Sequence, residues 1–200
     1  MLQSKNLHIM VIVHGKSELS ICRYIASNLK IKQEIISEEK GESSIQINGL
    51  MKQFNKLDFK SFTTFTNKYR DIQTIKKKLI EFKIFPIMDT DDCDKKTKEN
   101  YKKGLMFNKD YFLTSHIIPI FNDPNLEVTM GKMGININDK KEYSKKFPVN
   151  RNDITDLEKI KIFSDKLREI PNTNMEIYVD YCIKIAESEL INPNRNKLRR

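Results

Sequence analysis

Short apolar runs alternate along the chain with segments whose apolar residues recur every three or four positions. Ile9–Val13 is a continuous run of β-type residues and reads as a parallel strand buried on both faces. It ends at His14-Gly15-Lys16-Ser17, where Gly15 suits a tight turn and Ser17 suits a helix cap. Leu19, Cys22, Ile25, Ala26 and Leu29 then set one apolar face on a helix over about 18–29. A second strand is expected at Ile35 and Ile36, a loop over 37–43, and a helix carrying Ile45, Ile47, Leu50, Met51 and Phe54. Residues 58–69 are aromatic and threonine-rich, with a pattern that selects neither helix nor strand.

Further on, Ile72, Ile75, Leu79 and Phe82 predict a helical face, and 83–88 a short strand ending on acids. Residues 89–104 read as a loop leading into a polar, lysine-rich helix, and 116–121 as another strand, followed by the polar junction 122–127. Ile154, Leu157, Ile160, Phe163, Leu167 and Ile170 keep a helical period, as do Tyr178, Tyr181, Cys182 and Ile185. The basic tail 192–200 is expected to fray. Strands alternating with helices predict an α/β fold, a mostly parallel sheet with helices on both faces. Such folds place their sites at the carboxyl ends of the strands. Three strand ends carry polar clusters: His14 to Glu18, Asp89 to Asp94, and Asn122 to Glu127.

Composition changes this picture little. At 200 residues, 38% hydrophobic and 32% charged, the chain suits one globular domain. The net charge of +9 is spread over both halves and comes mostly from lysine, so it permits nucleic-acid binding without arguing for it. Cys22, Cys93 and Cys182 form no Cys-x-x-Cys pair and read as ordinary thiols of a reducing cytoplasm. The first apolar run is too short for a signal-peptide core and no segment approaches a membrane span, so a cytoplasmic protein without membrane contact is expected.

The chemistry lies in two motifs. Gly-Lys-Ser between strand and helix invites a phosphate-loop reading, but the required first glycine falls on Met10, inside the strand, and that reading fails. A helix N-terminus offering free N–H groups to an anion survives, beside a plain strand-to-helix turn. In the second motif Asp89, Asp91, Asp92 and Asp94 crowd four carboxylates into six positions after an apolar strand. Like charges so close call for a cation among them, and Mg2+ takes one or two carboxylates with waters and phosphate filling the rest. A calcium loop would need glycine at 94, and a solvated acidic loop capping the next helix is the alternative. Glu18, favoured by the helix dipole, becomes a second contributor if it faces Asp89. His14 reads as a ligand, a base or a polar strand end, while His8 and His116 read as structural.

Together, "VIVHGKSEL" (11–19) and "FPIMDTDD" (85–92) resemble the two motifs of the Toprim domain, shared by topoisomerases, primases and the overcome-lysogenization-defect nucleases. The resemblance covers roughly the first half of the chain and implies a Toprim-like α/β core over 1–135, with a helical extension over 136–200 packed on it. It implies that Glu18, Asp89 and Asp91 hold Mg2+ or Mn2+, and that His14 stands where the family has its first glutamate. Lys16, Asp92, Glu127 and Lys132 are further participants. The implied reaction is metal-assisted phosphodiester hydrolysis of DNA or RNA, with His14 as base and lysines, Lys16 and those in 95–103, attracting the backbone. Small proteins of this kind resemble effectors of bacterial anti-phage systems, with a defence ATPase as a partner.

Two other readings compete. The histidine in the glutamate position also fits a catalytically inactive nucleic-acid- or protein-binding subunit. A phosphatase of the haloacid-dehalogenase type, with a nucleophilic first aspartate, ranks lower because its motif belongs on the first strand.

Overall fold

The computed structural model describes residues 6–135 and 155–191. Four parallel strands form the sheet among these residues: β1 (Ile9–Val13), β2 (Gln33–Ile36), β5 (Lys83–Asp89) and β6 (Ile120–Asn122), in the order β2-β1-β5-β6. The helices are α1 (Lys16–Leu29), α2 (Ile47–Phe54), α3 (Phe62–Lys68), α4 (Lys95–Lys102), α5 (Leu126–Lys132), α6 (Asp156–Arg168) and α7 (Met175–Ile191). The architecture is thus α/β, a parallel sheet flanked by helices and followed by a helical C-terminal region.

Side-chain alternation along the central strands divides the interior into two cores. Ile9, Val11 and Val13 of β1 and Phe85 and Ile87 of β5 point to one face, where α1, α6 and α7 bring Ile25, Phe163, Leu167, Tyr178 and Val179. Met10, Ile12, Ile84 and Met88 point to the other, against Leu50, Phe54, Phe65 and Tyr101. Both faces being covered explains why β1 and β5 are near-continuous apolar runs. Burying each such side chain contributes on the order of 1.5–3 kcal/mol. Tyr101 ties the sheet to α4, its hydroxyl lying 2.8 Å from the Pro86 carbonyl of β5 and 2.9 Å from the Ile120 carbonyl of β6.

Several expectations are corrected. No helix forms over 72–82. Thr74–Ile75 (β3) pairs antiparallel with Lys78–Leu79 (β4), and Lys76 and Lys77 between them take φ +48° and +59°. Ile72, Leu79 and Phe82 are buried, but Ile75 is 57% exposed, so their helix-like spacing arises from separate contacts of an irregular segment. α1 begins at Lys16 with Gly15 as its cap, so Ser17 lies inside the helix and does not cap it. Gly15 has an extended backbone, φ −153°, and no tight turn requires it.

The expected strand over 116–121 is shortened to Ile120–Asn122. Thr114–His116 forms a 3-10 turn, and Pro119 has no N–H to offer the ladder. The unassigned 58–69 stretch contains a 3-10 turn at Leu57–Phe59 and α3, whose first turn is capped by the Ser61 hydroxyl. Ile154, residues 136–154 and the tail 192–200 lie outside the described residues. Among the described residues no helix is long and apolar enough to cross a membrane.

Candidate functional site

β1 has β2 on one side and β5 on the other, so the connections leaving β1 and β5 diverge and open a crevice at their carboxyl ends. The three polar strand ends meet there. The ladder continues one residue past β1, the His14 N–H donating to the Ile87 carbonyl at 2.9 Å, and α1 starts from this point. Asp89 is the last residue of β5. Beyond β6, Asn125 caps α5 through its side chain and brings Glu127 into the first turn.

Glu18 is held by the cap of its own helix, and Asp89, Asp91 and Glu127 by hydrogen bonds from other elements. Glu18 Oε2 accepts the Gly15 N–H at 2.9 Å, while Glu18 Oε1 is buried with no hydrogen-bond partner. Asp89 Oδ1 accepts the Leu126 N–H at 3.0 Å. Glu127 Oε1 accepts from the Ser17 hydroxyl at 2.9 Å, joining α5 to α1 across 110 positions of sequence. Asp91 is exposed, and its Oδ2 accepts from Asn125 Nδ2 at 2.8 Å.

His14 Nδ1 lies 3.1 Å from the Ile45 carbonyl and 4.0 Å from Asp92 Oδ2. A carbonyl only accepts, so this bond puts the proton on Nδ1 and leaves the lone pair of a neutral imidazole on Nε2. Both Asp92 oxygens are buried without a hydrogen-bond partner.

Burial and mutual repulsion set the charges. Burial, then Glu18, Glu127 and Asp91, push the Asp89 carboxyl up to about 9, against the Leu126 N–H that favours its charged form. Burial raises Glu18 as well, with its backbone hydrogen bonds and His14 opposing and Glu127 adding to the rise. Asp92 is raised by burial and by Asp91, with His14 opposing. Three carboxylates that are costly to ionise together, Glu18, Asp89 and Asp92, therefore face one crevice, and two of them, Glu18 and Asp92, carry buried oxygens without a hydrogen-bond partner. Among the described residues, no group of three or more His, Cys, Asp or Glu side chains is drawn together closely enough to hold a metal ion.

Other sequence expectations fall outside the crevice. Asp94 caps α4, accepting from the Lys96 and Thr97 N–H groups, so one of the four clustered aspartates is structural. Lys16 turns to Glu42, 2.6 Å away. Lys132 is exposed in the last turn of α5, five residues and about 140° around the helix from Glu127. His8 Nδ1 bonds the Glu81 carbonyl and His116 Nδ1 the Phe82 carbonyl, each at 3.0 Å.

The sequence reading missed Ser17 as a partner of Glu127, Asn125 as the residue that both caps α5 and holds Asp91, and the Ile45 carbonyl behind His14. Only Asn125 left a local signal, a capping residue just before Leu126-Glu127. No protein-family model matches the chain, and no curated protein or solved structure matches it.

Proposed function

We propose that the protein is a metal-dependent nuclease of the Toprim-like class, hydrolysing phosphodiesters of DNA or RNA. The observation that carries the reading is the meeting of Glu18, Asp89 and Glu127 at the strand ends, with Glu18 Oε1 buried and unpartnered. Among the described residues, Glu18 and Asp89 do not make a closed metal cage. They are two hard oxygen donors whose carboxyls burial and repulsion both raise. Such a pair fits Mg2+ or Mn2+, which takes one or two carboxylates with waters and phosphate filling the rest and whose charge would relieve the repulsion. Glu18 and Asp89 would hold the ion, with Asp91 and Glu127 beside them. Such an ion, held by Glu18 and Asp89, would supply polarisation of a water and compensation of negative charge on the phosphoryl oxygens.

The chain's own residues supply the rest. The Ile45 carbonyl orients His14 so that Nε2 can accept a proton, and Asp92 faces the same imidazole. Asn125 and the Leu126 N–H hold Asp91 and Asp89 in place. The role in anti-phage defence, with an ATPase as partner, follows from the motif resemblance.

The second reading, an inactive nucleic-acid- or protein-binding subunit, is favoured by His14 standing where a carboxylate would add to metal affinity. Calorimetric titration with Mn2+ at pH 8, paired with hydrolysis of bis-p-nitrophenyl phosphate, separates the two. The nuclease reading expects Mn2+ binding and hydrolysis by the wild type, both lost in Glu18→Gln. Absence of Mn2+ binding by the wild type overturns it in favour of the binding subunit.

A further inference from the structure

The β3–β4 hairpin bears no part of the carboxylate site and combines two features. Its loop is two residues long, and both Lys76 and Lys77 have positive φ. That is the type I′ turn, for which Asn-Gly is the favoured pair because side chains crowd the backbone in this conformation. Here lysines occupy both positions, and Lys78 follows directly. Residues 73–78 are all exposed, and Ile75 is 57% exposed beside the turn.

The second feature is the lack of counter-charges. Lys16, Lys32, Lys98, Lys102, Lys159 and Lys161 each pair with a carboxylate. Among the described residues, neither an ion pair nor a side-chain hydrogen bond engages Lys76, Lys77 or Lys78. The two-residue turn thus sets three adjacent, uncompensated charges on a short exposed ribbon.

We infer that this hairpin is a phosphate-backbone clamp for nucleic acid, separate from the carboxylate crevice; the inference rests on the nuclease reading for its choice of polyanion. A narrow ribbon with three adjacent cations matches the charge of a phosphate backbone, and Ile75 can lie against sugars or bases. The hairpin precedes Lys83, at the amino end of β5, whereas Asp89 closes the carboxyl end. Six strand steps separate those ends, about 20 Å. The hairpin leads into the end of β5 far from Asp89, so a nucleic acid engaged at both must extend well beyond one nucleotide, and the clamp selects polymer over mononucleotide.

The test is equilibrium binding of a fluorescein-labelled 20-base-pair DNA duplex and an RNA duplex of the same length, across a salt series. It compares the full chain with Lys76→Asn/Lys77→Gly and with the same pair plus Lys78→Thr. Asn-Gly preserves the turn geometry, so the variants remain folded and the double variant melts at or above the wild-type temperature. The expected result is weaker binding, with a log–log salt dependence shallower by about two in the double variant and approaching three in the triple.

An unchanged affinity and salt slope in both variants overturns the clamp, as does a wild type that binds neither duplex at low salt. Loss of binding to phosphatidylserine vesicles with duplex binding intact overturns it too, in favour of a membrane surface. Hydrolysis of bis-p-nitrophenyl phosphate by the wild type, which needs no clamp, shows separately whether the nuclease reading stands.

Discussion

Replacing Asp89 with asparagine removes an ionisable group and keeps the shape of the side chain, including an oxygen to accept the Leu126 N–H. Burial and the neighbouring acids push Asp89 up to about 9 in the folded protein, whereas an unfolded aspartate ionises near 4. Below about pH 4 both states hold the proton. Between about pH 4 and 9 only the folded state does, so the metal-free wild type loses up to about 1.4 kcal/mol of stability per pH unit. At pH 8 the accumulated ceiling is about 6 kcal/mol, and relaxation with water entry reduces the effective burial penalty. Asp89→Asn escapes this penalty. We therefore expect it to stabilise the metal-free protein by about 2–3 kcal/mol at pH 8, raising the melting temperature by roughly 4–12 °C. The gain should shrink to under about 1 kcal/mol at pH 4.5, as the linkage requires. Thermal melts in chelator across this range measure the effect. A variant that is less stable than the wild type at pH 8, or equally shifted at both pH values, refutes the buried, protonated Asp89.

Three further outcomes follow from the same contacts. Mn2+ at about a hundred times its dissociation constant should stabilise the wild type by about 2.7 kcal/mol at pH 8, a gain that chelator reverses and Glu18→Gln abolishes in thermal melts. Tyr101→Phe leaves the Pro86 and Ile120 carbonyls without their buried donor and should cost about 1–3 kcal/mol in urea unfolding. Burial opposes the ionisation of Asp123, but Lys102 and Lys98 overcome it and hold the carboxyl down to about 2. Its contribution is thus full above about pH 4 and lost as pH falls toward 2, and Asp123→Asn should flatten that acid limb by about 1 kcal/mol in acid denaturation.

The sheet was legible because β1 and β5 are covered on both faces, which forces the continuous apolar runs visible in the sequence. The positions of Glu18 and Asp89 followed, since residues just past parallel strands converge at one edge. The β3–β4 hairpin was not legible. Its turn residues are lysines where the rule expects Asn-Gly, and Ile72, Leu79 and Phe82 mimic a helical period while entering the core from irregular backbone. The cap of α1 was misplaced by two residues because Ser17, a good capping residue, instead donates to Glu127. That bond joins segments 110 positions apart, and no local pattern encodes it. Pro119 truncates β6 for a reason the apolar run around it conceals.

The central claim is most directly tested by Mn2+-dependent cleavage of end-labelled DNA and RNA by the purified wild type, alongside Asp89→Asn and Glu18→Gln. The account predicts cleavage by the wild type and a loss of at least about a hundredfold in each variant, both of which remain folded. Cleavage that persists at the wild-type rate in both variants would contradict it, because the acids at the ends of β1 and β5 would then take no part in the reaction.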